Sequence, residues 1–341
     1  MKKLFIFSLL GLASVMLNAQ APIVLQSGDQ VFLHTRLDTI VKHAQSGDDI
    51  YLPGGNVVLS SELRIDREVH IYGAGHYPDS SKATSVTFVT GGSIRFIPGS
   101  SKSTLTGIYM YNDIYFGLNQ TDVIQYVDVS RCNLASVCLG YTTGQRNSGN
   151  SYLRFSENVI RGGILEADAQ NCLFEKNIID GSISYITGNV TFSNNIFNYY
   201  SYSYSVFNSC TGVIVKDNIF TRDSHGLASS QIDNNLFVVS QTDSPGGTNI
   251  GSGNIGSQSL ESIFLNFDGG GFGYTYDYHL KEGCAGIGAA TDGYDIGIYG
   301  TENPYKPSAV PVNPHIRFVK VARESVNGLL PVEVDVSAQT H

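Results

Sequence analysis

A short phrase repeated along the middle of the chain constrains its fold more than any other feature of the sequence. The phrase reads apolar, any, apolar, any, any, Asn, any, apolar, and it is complete in four successive copies. The anchor asparagines of these copies are Asn158, Asn177, Asn195 and Asn218. A shorter copy ends at Asn235, and an upstream copy carries Cys132 in the asparagine position. Consecutive anchors lie 17 to 26 residues apart, so each copy is long enough for one supersecondary unit.

Each copy predicts a strand, a turn and the start of a second strand. The alternating apolar residues indicate a strand with one buried face. Asparagine tolerates left-handed backbone angles, so we place the turn at the anchor position. If each copy forms one coil of a stack, the asparagines of successive coils lie about 4.8 Å apart and their amides bond in a ladder. An antiparallel sandwich would not require asparagine at a fixed offset in four units, so stacked coils are favoured.

The anchors and their flanking strands, over residues 130–240, resemble the asparagine ladder of right-handed parallel β-helix proteins of the pectin-lyase-like superfamily. In that fold each repeat is one coil, and insertions go to outward loops, so uneven spacing is expected. The resemblance implies an all-β chain that forms a right-handed parallel β-helix of about 9–12 coils. It also implies an N-terminal amphipathic helix cap, and we expect a short C-terminal strand appendage.

Segments outside the ladder agree with this fold. Residues 35–44 place Leu37, Ile40 and Val41 on one helical face. The resemblance implies that this helix covers the first coil, whose apolar interior and strand edges would otherwise be exposed. Residues 277–297 resemble the closing segment of secreted bacterial β-helix proteins of unassigned function.

The N-terminus has the pattern of a signal peptide. Lys2 and Lys3 precede an apolar run of about 14 residues, which is too short to span a bilayer. Ala19 and Ala21 supply the small residues of a cleavage site. We therefore predict a signal peptide over residues 1–21 and a mature chain that is secreted, periplasmic or held at the cell surface. No other run reaches the roughly 18 apolar residues of a membrane helix, so we predict no transmembrane segment.

The rest of the chain divides by its composition. We assign residues 22–302 to the β-helix, residues 303–314 to a proline-rich linker and residues 315–341 to a C-terminal β-hairpin. The hairpin is predicted from two alternating apolar stretches around Asn327-Gly328, a two-residue turn signal. A lone hairpin is marginal in water, so we expect it to dock on the coils.

Charge and cysteine content limit the partners and cofactors. The net charge is −9 and the chain has no run of Lys and Arg, which argues against nucleic acid as a partner. The cysteines show no CxxC motif and no Cys/His cluster with metal-ligand spacing, so we predict neither a metal site nor a cofactor. We expect buried free thiols, with one disulfide as the alternative. The five cysteines are Cys132, Cys138, Cys172, Cys210 and Cys284.

A catalytic set in this fold would lie at the outward positions of the ladder strands. A glycoside hydrolase needs two carboxyl groups about 5–9.5 Å apart. Glu175 and Asp233 share one outward column but are three coils apart, roughly 14 Å, which is too far. Lys216 lies one coil from Asp233, and we expect the two to form a surface ion pair.

A polysaccharide lyase is the enzyme class that these outward positions leave open. It must neutralise a uronate carboxylate and remove a neighbouring proton, often with Ca²⁺ or with basic side chains. The chain offers Arg154, Lys216, Arg222 and His225 as candidate catalytic residues for such a reaction. No cluster of aspartates provides a calcium cage on one face of the ladder.

One aromatic run is the candidate ligand-binding surface. Tyr200, Tyr202 and Tyr204 alternate with serine, so their side chains share one strand face. Facing outward, they would form a ridge that stacks on sugar rings and hydrogen-bonds through its hydroxyls. Facing inward, they would be stacked aromatics of the core.

Three function classes follow from these observations. We expect a secreted β-helix protein that binds or presents to an extracellular polysaccharide, because the carboxylate pair and the calcium cage of known carbohydrate enzymes are absent. The first alternative is a polysaccharide lyase or other carbohydrate-active enzyme. The second is a structural protein of the cell envelope. The association with carbohydrate depends on analogy with the fold.

Overall fold

The structure is a computed structural model of the 341-residue chain. It describes residues 21–79, 83–142, 145, 149–199, 205–222, 225–239, 245–306, 315–322, 324–325 and 327–337. The predicted signal peptide lies almost entirely outside the described residues, as do all three tyrosines of the predicted ridge. In the described part strands far outnumber helices and form a parallel β-helix, which confirms the predicted fold class.

Three long sheets form the sides of the helix, and each coil adds a strand to them in turn. Sheet A orders its strands Gln30–His34, Ile23–Ser27, Asp48–Tyr51, Val69–Tyr72, Thr104–Thr106, Asp128–Ser130, Arg154–Ser156, Cys172–Glu175, Val190–Ser193, Ile214–Lys216 and Gln231–Asp233. Sheet B orders its strands Gly55–Val58, Thr87–Thr90, Tyr109–Met110, Asn133–Leu134, Val159–Ile160, Ile178–Ile179, Ile196–Phe197, Ile219–Phe220 and Leu236–Phe237. Sheet C orders its strands Leu63–Ile65, Ile94–Phe96, Ile114–Phe116, Val137–Cys138, Ile164–Ala167, Ile183–Ile186 and Phe207–Asn208.

The coils of the described chain agree in number with the prediction. Nine of them pair in parallel in sheet A, and a tenth is joined by single bridges at Ile250 and Ile255. At the other end, the two antiparallel strands Ile23–Ser27 and Gln30–His34 extend sheet A. The predicted cap helix is Leu37–His43, and its buried side chains are Leu37, Ile40 and Val41. No helix in the described ranges is both long and apolar enough to cross a membrane.

Stacked side chains fill the interior of the coils. The rings of Phe155 and Phe174 lie 4.5 Å apart and almost parallel, and Phe192 follows 5.0 Å further along. This stacking arises because equivalent residues of successive coils are paired in register. All five cysteines are free and buried, as expected for thiols that act as small apolar side chains.

The asparagine ladder is present and is one residue longer than predicted. Each anchor donates its side-chain Nδ2 to the Oδ1 of the next anchor at 2.9–3.1 Å. Asn254, which the sequence analysis missed, is the last member. At the other end the backbone N–H of Cys132 donates to Asn158 Oδ1, so the cysteine closes the ladder. The members in order are Asn158, Asn177, Asn195, Asn218, Asn235 and Asn254.

The turn beside the ladder differs from the prediction. The left-handed residue is not the anchor but the residue before it, with φ of 57° at Glu157, 54° at Lys176 and 60° at Asp217. The anchor itself avoids positive φ, which lets its amide point along the stack toward the next coil. We call the left-handed positions Arg131, Glu157, Lys176, Asn194, Asp217 and Asn234 the corner column.

Beyond the last coil the chain folds back over the outer face of sheet B. This segment, residues 259–306, is called the strap. It contains the helix Leu260–Ile263 and the antiparallel strands Phe264–Asn266 and Asp277–Leu280. A second apolar core forms where the strap meets sheet B. Its members include Ile178, Ile196, Ile219 and Leu236 from sheet B and Phe264, Tyr278, Ile296 and Tyr305 from the strap.

The corner column fastens the end of the strap. Lys176 Nζ donates to the backbone oxygen of Asn303 at 2.7 Å, and Glu157 Oε2 accepts from the backbone N–H of Lys306 at 3.0 Å. Asp217 accepts hydrogen bonds from both the backbone and the side chain of Thr291. Residues 303–306 of the predicted linker are therefore packed, and residues 307–314 lie outside the described ranges.

The C-terminal hairpin forms as predicted. Its antiparallel strands are His315–Val321 and Val332–Ser337, and Asn327 and Gly328 both have positive φ at the turn. Pairing of the strands aligns six aliphatic side chains on one face, and these remain 40–56% exposed. The expected docking on the coils is therefore absent from this structure. The six side chains are those of Ile316, Val319, Val321, Val332, Val334 and Val336.

Removing the hairpin is expected to leave the β-helix as stable as before. A chain that ends at Lys306 keeps the strap and its bonds to the corner column. We expect its thermal midpoint to stay within about 2 °C of the full mature chain, which corresponds to a change of only about 1 kcal/mol in a protein of this size. Differential scanning calorimetry of the two chains makes the comparison. A fall of several degrees would mean that the hairpin packs on the coils in solution.

Candidate functional site

A groove of about 680 Å³ runs along the outward face of sheet A, beside the end of the strap. Its volume is in the range of small-molecule and cofactor sites. Three rows of side chains surround it: two outward columns of sheet A, and a wall made by the corner column and the strap. The lining residues are Tyr72, Thr104, Thr106, Asp128, Ser130, Arg131, Arg154, Ser156, Glu157, Glu175, Lys176, Asp292, Thr301, Glu302 and Asn303.

Small hydroxyl side chains form the floor of the groove. Strand register places Thr106, Ser130 and Ser156 in one column between Tyr72 at one end and Glu175 at the other. Ser130 Oγ donates to Thr106 Oγ1 at 3.3 Å, so the hydroxyls are linked along the floor. Tyr72 and Glu175 are four coils apart, which is about 19 Å at the spacing of neighbouring strands. The floor is therefore long, narrow and polar.

An arginine held between two carboxylates lies beside this floor. Arg154 Nη1 donates to Asp128 Oδ2 at 2.9 Å, and its Nε donates to Glu175 Oε1 at 2.8 Å. The arginine side chain is 48% exposed, and the carboxylates are 29% and 22% exposed. The three residues come from consecutive coils, which places their charged groups in a row along the stack. The ion pairs fix a planar, polar edge beside the hydroxyl floor.

The charges of the two carboxylates set the protonation of Arg154. Burial alone would lower the pKa of its guanidinium, but the neighbouring charges of Glu175 and Asp128 and their hydrogen bonds raise it above its usual value. Arg154 therefore stays charged and cannot act as a general base near neutral pH.

The opposite wall joins the corner column to the strap. Arg131 Nε donates to Glu157 Oε2 at 3.2 Å, and both side chains are buried. Thr301 Oγ1 is buried at the groove without a hydrogen-bond partner. A buried polar atom without a partner is unusual in a folded protein.

Two stacked tyrosines end the groove near the N-terminal coils. The rings of Tyr51 and Tyr72 lie 5.3 Å apart with an interplanar angle of 21°. In the next coil the same column has the smaller Thr106, so the second face of the Tyr72 ring borders the floor. Burial, followed by the nearby charge of Asp49, raises the pKa of Tyr72, so its hydroxyl remains a hydrogen-bond donor at neutral pH.

The groove carries net negative charge. Its lining has five acidic side chains against three basic ones, a balance of −2. The basic side chains already have partners: Arg154 binds two carboxylates, Arg131 binds Glu157, and Lys176 binds the strap backbone. The acidic members are Asp128, Glu157, Glu175, Asp292 and Glu302.

The four candidate catalytic residues lie in different parts of the molecule. Arg154 is in the groove, and Lys216 is on the same face but two coils beyond Glu175. Arg222 and His225 follow the sheet B strand Ile219–Phe220 on another corner. His225 is buried, its Nδ1 accepts from the backbone of Leu227, and burial lowers its pKa. The structure therefore does not bring the four together.

The ion pair expected between Lys216 and Asp233 is not formed. Register places the two side by side as predicted. Asp233 instead accepts a 2.7 Å bond from Gln231 Nε2 in its own strand and a 2.9 Å bond from the backbone of Ser252. Local hydrogen bonds thus replace an exposed ion pair that would have contributed little.

The sequence analysis missed the partners of Arg154 because it compared carboxylates only within one column. Asp128 and Glu175 belong to adjacent columns, and the long arginine side chain reaches both of them. Strand register places Asp128 directly beside Arg154, so the repeat pattern alone could have paired these two residues. The stacking of Tyr51 on Tyr72 was not predicted either, because both residues lie upstream of the ladder, where no asparagine anchor sets the register.

The arrangement favours recognition over acid–base chemistry. Asp128 Oδ2 and Glu175 Oε1 each accept a hydrogen bond from Arg154, so both carboxylates are engaged in ion pairs and neither stands alone as a general acid or base. Among the residues that the structure describes, no group of three His, Cys, Asp or Glu side chains is placed to hold a metal ion. The groove offers hydroxyl groups, fixed polar edges and a ring face.

Comparison with known proteins adds no family to this description. No protein-family model matches the chain, and none of the curated proteins matches it significantly.

Proposed function

We propose that the sheet A groove binds a segment of an extracellular polysaccharide. The observation that carries this proposal is the row of hydroxyl side chains between the Tyr72 ring and the Asp128–Arg154–Glu175 ion pairs. A sugar chain presents hydroxyl groups on its edges and C–H groups on its ring faces. The groove presents a complementary partner for each.

The chemistry of each wall fits part of a sugar chain. Paired carboxylate and guanidinium groups offer acceptors and donors side by side, which suits neighbouring hydroxyls on one ring. The free face of Tyr72 suits an apolar sugar face. An elongated stack of coils provides a long side face for a polymer.

Binding is favoured over the two alternatives. A polysaccharide lyase needs a basic residue next to its charge-neutralising group, and the groove has no unpaired candidate of that kind among its lining residues. A purely structural protein would not require a groove lined by a row of hydroxyl groups and fixed ion pairs. The resemblance to the pectin-lyase-like superfamily and the predicted signal peptide support an extracellular carbohydrate ligand, and the proposal includes export of the mature chain.

Replacing Tyr72 by alanine should weaken glycan binding about tenfold. The expected loss corresponds to about 1–1.5 kcal/mol from one aromatic contact. Retardation in gels loaded with polysaccharides identifies a ligand, and titration calorimetry with oligosaccharides from it gives the affinity. Tyr152→Ala is the matched control, because Tyr152 is also a partly exposed tyrosine stacked on a neighbour, but it is not one of the residues that line the groove.

Two results would contradict this proposal. Equal losses in Tyr72→Ala and Tyr152→Ala would place the ligand elsewhere on the molecule. Release of unsaturated products, followed by their ultraviolet absorbance during the same incubations, would show a lyase instead of a binding protein.

A further inference from the structure

We propose that the groove selects uncharged polysaccharides and rejects uronate-containing chains, and that Asp128 and Glu175 are the residues that impose this selectivity. The inference rests on the proposed function, since it names the class of glycan that the same groove accepts.

The first support is the charge balance of the lining. Five acidic and three basic side chains surround the groove, so a chain of uronates would add negative charge to a site that is already at −2. The floor is about 19 Å long, so a sugar near its middle lies within about one Debye length, 8–10 Å, of either end, and the charges of the lining are poorly screened there. Repulsion therefore acts on each acidic sugar that enters.

The second support is that each basic side chain of the groove already has a hydrogen-bond partner within the protein. The guanidinium of Arg154 would be the natural partner for a sugar carboxylate, because it binds carboxylates through two parallel bonds. Here Asp128 and Glu175 already occupy it from both sides. A uronate would have to displace one of them and leave that carboxylate without its partner.

The third support is that the same carboxylates remain useful to a neutral sugar. An ionised carboxylate accepts hydrogen bonds only, and hydroxyl groups donate them readily. Asp128 and Glu175 are 29% and 22% exposed, so part of each carboxylate faces the groove. The carboxylates of Asp128 and Glu175 thus repel acidic glycans and accept hydrogen bonds from neutral ones.

The test removes charge without changing side-chain shape. The double variant Asp128→Asn, Glu175→Gln changes the lining from −2 to 0 and leaves the guanidinium of Arg154 without a charged partner. The probes are two neutral polysaccharides, xylan and mixed-linkage β-glucan, and two acidic ones, polygalacturonate and alginate. Binding is measured by gel retardation and by titration with matched oligosaccharides at low and physiological salt. Asp233→Asn is the control, because Asp233 lies on the same sheet face outside the groove lining.

We expect the wild-type protein to bind at least one neutral polysaccharide and neither acidic one. The double variant should bind an acidic polysaccharide at least tenfold more tightly than the wild type, and added salt should reduce that gain. The Asp233→Asn variant should behave as the wild type does.

Each contrary outcome identifies which idea fails. Tighter binding of an acidic polysaccharide by the wild type would overturn the selectivity and leave the proposed glycan site standing. A double variant that gains no affinity for acidic chains would overturn the roles of Asp128 and Glu175. A wild-type protein that binds none of the four would remove the proposed function, and the selectivity with it.

Discussion

Replacing Phe264 by alanine is expected to lower the free energy of unfolding by about 3–5 kcal/mol, the range for losing a fully buried aromatic side chain. Phe264 is 2% exposed and packs edge-on against the rings of Phe267 and Tyr278 in the second core. Its loss opens a cavity between the strap and sheet B. Urea unfolding followed by circular dichroism gives the change in free energy.

Leu265→Ala is the matched control for this experiment. Leu265 is the next residue in the same strand, but its side chain is 52% exposed. Its replacement should cost less than about 1 kcal/mol, as is usual for surface positions. Similar losses in the two variants would mean that the strap does not cover sheet B as described.

Replacing Asn177 by alanine is expected to cost about 2–4 kcal/mol. Asn177 Nδ2 donates to Phe155 O and Asn195 Oδ1, and its Oδ1 accepts from both the backbone and the side chain of Asn158. Alanine removes all four bonds and leaves buried groups without partners, each worth about 1–3 kcal/mol. Thermal and urea unfolding of the purified variant measure the loss.

Asn189→Ala provides the control for the ladder. Asn189 also donates its amide to an asparagine of the neighbouring coil, Asn171 Oδ1 at 2.8 Å, but this pair is exposed to water. Water can replace that bond, so we expect a loss below about 1 kcal/mol. If the two variants lost equal stability, the buried ladder would not be a main source of stability.

The register of the coils could be predicted from the sequence because it depends on residues close together in the chain. Alternation of apolar side chains decides which face of a strand is buried, and an asparagine at a fixed offset marks the corner. Both signals are complete within about eight residues of each copy, and the anchor Asn177 illustrates this. The position of the left-handed residue was wrong by one, since many residue types adopt that conformation at the corner column.

The sequence contains a signal of the strap that the alternation of apolar and polar residues does not reveal. Sheet B strands such as Ile178–Ile179 and Ile219–Phe220 have two apolar residues in succession. One side chain of each pair points into the coils, so the other must be covered from outside. The sequence thus indicated that sheet B is buried on both faces, but it did not identify residues 259–306 as the cover.

The groove could not be predicted from the sequence, because only the tertiary structure brings its residues together. Arg154 meets Asp128 across 26 residues and Glu175 across 21, and Lys176 meets Asn303 across 127. These contacts require both the stacking of coils with unequal loops and the return of the strap along the corner column. Local pattern therefore determined the coils and the ladder, because strand alternation and turns are short-range. The site was decided by the fold, because its walls come from segments that only packing brings together.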